Sequence, residues 1–105
     1  MSADSIRFST WDTSYTTVSG GHVRCQVQFN DAIGRYIFEN GSVGHLQNVT
    51  FDRDSKSIDA TWCYQGQRGV VRFYIVNDDT QMDGTWGFSF DRAVGTWQGY
   101  RTDTP

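Results

Sequence analysis

The chain is poor in the residues that mark nucleic-acid and metal binding. Its 105 residues include nine basic residues, scattered singly, and its formal net charge is −3. Because binding to phosphates needs a concentrated basic surface, we expect no nucleic-acid partner. His22 and His45 are the only histidines, and no cysteine or histidine stands at zinc spacing from either of them. We therefore predict no metal site.

Long apolar runs are also missing. The first residues, MSADSIRFST, have neither a basic start nor an apolar stretch, and no later segment is long enough to cross a membrane as a helix. As given, the chain carries no secretory signal and no membrane span. We therefore expect a cytoplasmic protein, although a mature secreted form would look the same.

Recognisable catalytic motifs are absent as well. The sequence has no glycine-rich phosphate loop, no dinucleotide fingerprint and no Ser/His/Asp order. We predict no cofactor, and the catalytic residues of any enzyme here are unknown. An enzyme stays an alternative, because an enzyme with a pocket-shaped substrate needs no sequence motif.

Aromatic residues are plentiful and make up 15% of the sequence. Large aromatic side chains supply the apolar area that ordering requires, which favours a folded protein. A chain of 105 residues has room for one hydrophobic core. We predict a single domain over residues 1–105, with residues 1–5 frayed.

Apolar and polar residues alternate along most of the chain, which is typical of β-strands with one buried face. No window shows helical periodicity. The predicted strands cover about 6–18, 22–30, 33–39, 42–51, 56–64, 70–76, 82–90 and 94–101. Seven or eight short strands joined by tight turns predict an all-β fold. We favour a small antiparallel up-and-down β-barrel over a sandwich, because closure removes exposed edge strands.

All four tryptophans follow a threonine, three of them within residues 58–101, and two of these pairs also follow a glycine, at 84–86 and 95–97. Strand glycines mark bends or close approaches, and in small barrels they make room beside bulky side chains. This Gly-Thr-Trp usage resembles the calycin barrels, the avidin and lipocalin group. The resemblance implies a ligand held in the mouth of a barrel, and an arginine of the last strand, Arg101, stacked on the N-terminal Trp11.

Three aromatic residues are predicted to form the walls of such a ligand pocket. Residues an even number of positions apart in a strand point to the same face, and we say that they share a parity. Trp62 shares the parity of Ile58 and Ala60, and Trp86 and Phe88 share the parity of Met82. We therefore expect Trp62 and Trp86 to face the core. A core tryptophan can be packing alone, and one near an open barrel end can also contact a ligand.

Three polar residues are candidates to orient the polar groups of a ligand. Arg35 shares parity with Ile33 and Ile37, whereas His45 and Gln47 share parity with Val43, Val49 and Phe51. The leading hypothesis is a non-enzymatic module that binds a small apolar or aromatic-compatible ligand with these groups. The alternative is that a bulge shifts the register, or that the opposite face is the buried one.

Other readings of the tryptophan-rich region remain open. Trp97 lies between Gly95 and Gly99, so its ring could lie flat on the surface and, with Tyr100, bind carbohydrate as in a lectin. A small barrel enzyme with His45 or a carboxylate as acid–base is a further alternative. The partner is thus a small molecule or a sugar, and a homo-oligomer is also possible.

The two cysteines, Cys25 and Cys63, fall on opposite parities of their strands. Side chains on opposite faces of a sheet cannot reach the short Cβ separation of a disulfide. We expect two free thiols, as in a reducing compartment.

Overall fold

The computed structural model describes residues 3–103 and shows a closed barrel of eight antiparallel strands. Each strand pairs with its neighbours in sequence, and the last strand pairs with the first. The elements are α1 (Ala3–Ile6), β1 (Thr10–Thr16), β2 (His22–Asn30), β3 (Ile33–Phe38), β4 (Val43–Asp52), β5 (Ser57–Tyr64), β6 (Gln67–Val76), β7 (Gln81–Ser89) and β8 (Arg92–Arg101). The predicted up-and-down barrel is confirmed, and it is consistent with the calycin resemblance.

At one end of the barrel α1 precedes β1, and we call this end the helix end. Of the segment predicted to be frayed, residues 1 and 2 lie outside the described part, whereas residues 3–5 belong to α1. Ile6 is buried in the core, and its carbonyl accepts a hydrogen bond from Ser9 Oγ, which in turn accepts one from Trp11 Nε1 at 2.7 Å. No helix within residues 3–103 is long and apolar enough to cross a membrane.

The predicted partner of Trp11 makes a different contact. Arg101 is opposite Trp11 in the pairing of β8 with β1. Its guanidinium donates to the carbonyl oxygen of Ser5 at 3.0 Å and to the carboxylate of Asp103 at 2.8 Å. The cation–π contacts of the described residues involve Arg7 and Arg72 instead. Arg101 therefore ties β8 to the segment around α1, without the expected stacking on the indole.

A β-bulge in β4 decides which residues face the core. The pairing of β4 with β5 shifts between Gln47 and Thr50, and Asn48 within the bulge has φ +52°. Asparagine tolerates this left-handed conformation better than most residues. Because of the extra residue, Leu46 and Val49 are both buried although their parities differ. The uninterrupted alternation expected for 43–51 is therefore wrong.

Large rings fit inside this narrow barrel because glycines stand opposite them on the neighbouring strands. Tyr36 pairs with Gly44, and a methyl group on Gly44 would overlap the tyrosine ring. Trp62 pairs with Gly69, where an added Cβ would lie 2.6 Å from the indole. Real Cβ atoms do not approach other atoms closer than 3.0 Å, so the ring takes the space that a side chain would need.

The two Gly-Thr-Trp motifs lie opposite each other. In the antiparallel pairing of β7 with β8, Gly84 is opposite Trp97 and Trp86 is opposite Gly95. An added Cβ at Gly95 would lie 2.6 Å from Trp86 Nε1, so this glycine leaves space for that ring, whereas an added Cβ at Gly84 would meet the backbone of Arg72 and the ring of Phe73. The recurrence of Gly-Thr-Trp in the sequence therefore reflects packing in the barrel wall.

The cysteines occupy the two faces that their parities predict. Cys25 is buried inside the barrel, Cys63 is partly exposed on the outside, and both are free thiols. The prediction that they form no disulfide is confirmed.

We expect Gly44→Ala to lower the free energy of unfolding by about 1–3 kcal/mol, because the added methyl group overpacks the core against Tyr36. Urea denaturation followed by tryptophan fluorescence measures this change. Gly21→Ala is the matched control, since Gly21 is exposed and an added Cβ there meets only a flexible hydroxyl at 3.3 Å. Equal midpoints for the two variants would contradict the steric role of Gly44.

Candidate functional site

The barrel end opposite α1 opens into a cavity of about 180 Å³, which we call the mouth. Seven of its nine lining residues are aromatic, and none is formally charged at neutral pH. The lining residues are Tyr15, Val18, Tyr36, Trp62, Tyr64, Gln67, Trp86, Phe88 and Trp97. They come from β1, β3, β5, β6, β7, β8 and the turn after β1, so the mouth exists only in the assembled barrel.

The rings of the mouth contact one another in a continuous series. Ring centroids are 5.8 Å apart for Trp62 and Trp86, 6.1 Å for Trp86 and Tyr15, and 5.2 Å for Tyr15 and Trp97. The series continues through Tyr36, with centroids 5.1 Å from Trp97 and 6.4 Å from Tyr64. Tyr64 follows Trp62 by two residues on β5, so both face the interior and the series ends on the strand on which it began. Phe88 extends it at the rim, 5.7 Å from Trp62.

The indole N–H groups of the mouth are already used within the protein. Trp62 Nε1 donates to the carbonyl oxygen of Gly87 at 3.2 Å, and Trp86 Nε1 donates to that of Thr16 at 2.8 Å. Trp97 Nε1 donates to Thr13 Oγ1 at 2.9 Å. A ligand in the mouth therefore meets the carbon faces and edges of these rings, which are held in fixed orientations.

The remaining polar groups of the mouth are few. Tyr36 Oη donates to the carbonyl oxygen of Cys63 at 3.2 Å, whereas within residues 3–103 we find no hydrogen bond from the hydroxyls of Tyr15 and Tyr64 or the amide of Gln67. Burial raises the pKa of Tyr15 and of Tyr36 above its usual value, with smaller contributions from neighbouring thiols and phenols. These two phenols therefore stay neutral at physiological pH.

Beneath the rings lies a small polar contact that involves a buried thiol. Thr13 Oγ1 donates to the carbonyl oxygen of Cys25 at 2.8 Å and lies 3.3 Å from its Sγ. Burial raises the pKa of the Cys25 thiol to about 11, although hydrogen bonds with Thr13 and Trp97 act in the opposite direction. The thiol is thus protonated at neutral pH and inaccessible from outside.

The mouth brings together part of the predicted site. Trp62 and Trp86 face the interior, as predicted, and Phe88 joins them at the rim. Trp97 also lines the mouth, but its side chain is only 3% exposed, so the prediction that its ring lies flat on the surface is wrong. Gly95 and Gly99 lie opposite inward-facing residues of β1 and β7, so they form no exposed surface on which the ring could lie.

The other predicted residues lie on the outside of the barrel. Arg35, His45 and Gln47 are exposed, and Arg35 pairs with His45 across β3 and β4. The bulge at Asn48 explains the difference, because Val49 and Phe51 share the inner face with Leu46 and not with His45. Both alternatives therefore apply: the opposite parity is buried in β3 and in β4 before the bulge, and the bulge returns the expected parity to the inner face at Val49 and Phe51. Tyr100 is 65% exposed on the outer face.

Four aromatic or polar residues of the mouth were missed by the sequence analysis. Tyr15, Tyr36, Tyr64 and Gln67 line it. The alternation of buried and exposed residues in each strand was the available signal. This alternation does not show which end of each strand opens to solvent.

Further cavities lie elsewhere, and two of them have charged or polar linings. One of about 360 Å³ at the helix end has a charged lining that includes Arg53, Lys56 and Asp79, of which Lys56 and Asp79 form an ion pair at 3.9 Å. An open depression on the outer face contains His45 and Cys63. Within the described residues we find no group of three or more His, Cys, Asp or Glu that could hold a metal ion. We take the mouth as the candidate site because its walls are built from the buried ring series.

Comparison of the chain with family models, curated proteins and solved structures gives no match.

We expect one thiol per chain to react with 5,5′-dithiobis(2-nitrobenzoate) at about pH 8 in the native state, because Cys63 is partly exposed and Cys25 is buried. Cys63→Ser should remove the rapid reaction, and Cys25→Ser should retain it. Unfolding in guanidinium should expose the second thiol of the wild-type chain. Two rapidly reacting thiols in the native protein would contradict the burial of Cys25.

We also expect Cys25 to make stability fall at alkaline pH. Its folded pKa is raised, from 9.0 to about 11. The contribution of the protonated thiol to the free energy of unfolding is therefore complete below about pH 9 and is lost as the pH rises towards 11. The loss should be roughly 2 kcal/mol, measured as the free energy of unfolding in urea at several pH values. Cys25→Ser should show a shallower decline over this interval; an unchanged slope would contradict the raised pKa.

Proposed function

We propose that the protein is a binding module that holds one small, largely apolar ligand in the mouth. The observation that carries this proposal is the ring series around an uncharged cavity that opens to solvent. Small-molecule sites are concave and mostly apolar, with a few polar groups that fix the orientation of the ligand. The mouth has this composition, with the hydroxyls of Tyr15 and Tyr64 and the amide of Gln67 as its polar groups.

The size of the cavity limits the ligand to about one ring. The volume of about 180 Å³ is below the usual 300–1,000 Å³ of drug-sized sites. It is close to the roughly 150 Å³ of an engineered apolar cavity, in another protein, that accepts benzene. A larger ligand would have to protrude past Val18 and Phe88, which are both exposed at the rim.

The rigidity of the walls supports binding over simple packing. The three indoles of the mouth are each held by a hydrogen bond, and two of them, Trp62 and Trp86, also lie against glycines of the next strand. Such preorganised walls lose little conformational freedom when a ligand enters, and this favours affinity.

The alternatives fit the geometry less well. A lectin that stacks a sugar on Trp97 would need that ring at the surface, yet it is buried. An enzyme that uses His45 with the mouth would need the imidazole inside the barrel, yet it is exposed on the outer face. We therefore prefer a binding role without catalysis.

We expect benzyl alcohol, a neutral single-ring compound, to change the tryptophan emission saturably, and galactose and N-acetylglucosamine to leave it unchanged. Phe88→Ala should weaken the binding of benzyl alcohol about threefold to tenfold, since it removes a contacting ring from the rim. Isothermal titration calorimetry gives the affinities and the stoichiometry, expected to be one per chain.

Phe8→Ala is the matched control for this experiment. Phe8 is 59% exposed and Phe88 is 60% exposed, but Phe8 lies beside α1 at the helix end and does not line the mouth. Its removal should leave the affinity unchanged. Equal losses in both variants, or saturable binding of a sugar in place of benzyl alcohol, would overturn the proposal.

A further inference from the structure

We propose that the natural ligand of the mouth is an organic cation, an ammonium group with apolar substituents, held against the faces of the tryptophan and tyrosine rings. This inference rests on the proposed function and specifies the chemical class of the ligand. It follows from the kind of apolar residue in the mouth, from the polar groups that the mouth offers, and from the charges around it.

Aromatic side chains occur throughout the interior of the barrel, with Trp11, Phe29 and Phe73 buried away from the mouth, whereas buried aliphatic side chains are confined to the part outside the mouth. The core contains many buried aliphatic residues, and none of them lines the mouth. These residues are Ile6, Val27, Leu46, Val49, Ile58, Ala60, Val71, Ile75 and Met82. Valine, leucine or isoleucine would serve equally well to bury a neutral apolar ligand. A mouth lined by one aliphatic residue and seven rings points to a property that only rings provide.

That property is the negative electrostatic potential of a ring face. Cations bind to the faces of tryptophan best, then tyrosine and phenylalanine, within about 6 Å of the ring centroid. Six of the seven rings of the mouth are tryptophan or tyrosine. Alkylated ammonium groups suit such a cage, because they are weakly hydrated and also bury apolar surface.

The polar groups of the mouth do not suit an anion. The indole N–H groups donate to protein oxygens, and no arginine or lysine lines the cavity. A carboxylate or phosphate placed there would lose its hydration with only the groups of Tyr15, Tyr64 and Gln67 to replace it. A cation needs no such donors, and the partial negative charge of the phenol oxygens attracts it.

No charged side chain lines the mouth, and the charges around it are of both signs. The four turns at this end contain two carboxylates, Glu39 and Asp91, and no basic residue. Arg24, Arg68 and Arg92 stand near the starts of β2, β6 and β8, are exposed, and do not line the cavity. The chain as a whole carries a net charge of −3.

Three probes of nearly equal shape show whether the mouth prefers a cationic, a neutral or an anionic ligand. Choline is the cation, 3,3-dimethylbutan-1-ol is its neutral isostere, and 3,3-dimethylbutanoate is the anion. We expect choline to bind about tenfold or more tightly than the alcohol, and the anion to bind more weakly than the alcohol. Isothermal titration calorimetry with the intact chain measures all three affinities.

A pair of phenylalanine variants tests whether the rings cause the preference. Phe88→Leu replaces a ring of the rim by an aliphatic side chain of similar size. It should reduce the preference for choline over the alcohol severalfold, while the affinity for the alcohol changes less than about twofold. Phe8→Leu, at the helix end, should change neither affinity. Uniform incorporation of 6-fluorotryptophan should also weaken choline binding and leave alcohol binding unchanged.

The effect of salt distinguishes binding of choline to the rings of the mouth from a general attraction of choline to an acidic protein. Contacts inside the cage should persist in about 1 M NaCl, where the Debye length is about 3 Å. Loss of the choline preference in high salt would overturn the inference, and so would an equal or tighter affinity for the alcohol. Binding of benzyl alcohol without choline would overturn it too while leaving the proposed function intact. Failure of benzyl alcohol and all three probes would overturn both.

Discussion

The barrel depends on a steric pairing between large interior rings and the glycines opposite them. Eight strands enclose too little space for rings to project from every wall, so a ring on one strand needs a bare backbone on the next. Tyr36 with Gly44, Trp62 with Gly69 and Trp86 with Gly95 all follow this rule. The pairing sets the register of adjacent strands, because a shift by one residue would bring a side chain against the ring.

The same pairing determines the character of the mouth. Each tryptophan lies against a neighbouring strand and donates its N–H within the protein, so its ring cannot turn freely. The open end of the barrel therefore presents carbon surfaces with a fixed arrangement and few hydrogen-bonding groups. The polar and charged residues of the chain are concentrated on the outer face, where Arg72 and Asp59 form an ion pair with N···O distances of 2.6 Å and 2.9 Å. Selectivity inside the mouth must then come from shape and from the electrostatics of the rings.

Much of the fold could be predicted from the sequence, because each strand has one buried face and the turns are short. The prediction of β2 as 22–30 matches its observed bounds, and the inward direction of Trp62 and Trp86 follows from alternation alone. The site was harder to predict. A single residue in the left-handed conformation, Asn48, reverses the alternation within β4 and moved His45 and Gln47 from the expected pocket to the outside. Alternation groups Trp97 with its glycines correctly, but only the partner strands show which face is inside.

The pairing of β1 with β8 joins segments that are far apart in the sequence, and the mouth lies across this seam. Tyr15 is opposite Trp97 in that ladder, and Trp86 donates to the carbonyl oxygen of Thr16, 70 residues away. An open sheet with the other seven pairings intact would lack this part of the cavity wall. Only the closed form can therefore hold a ligand between these rings. A ligand that binds the closed form alone stabilises the pairing of β1 with β8 by its binding free energy.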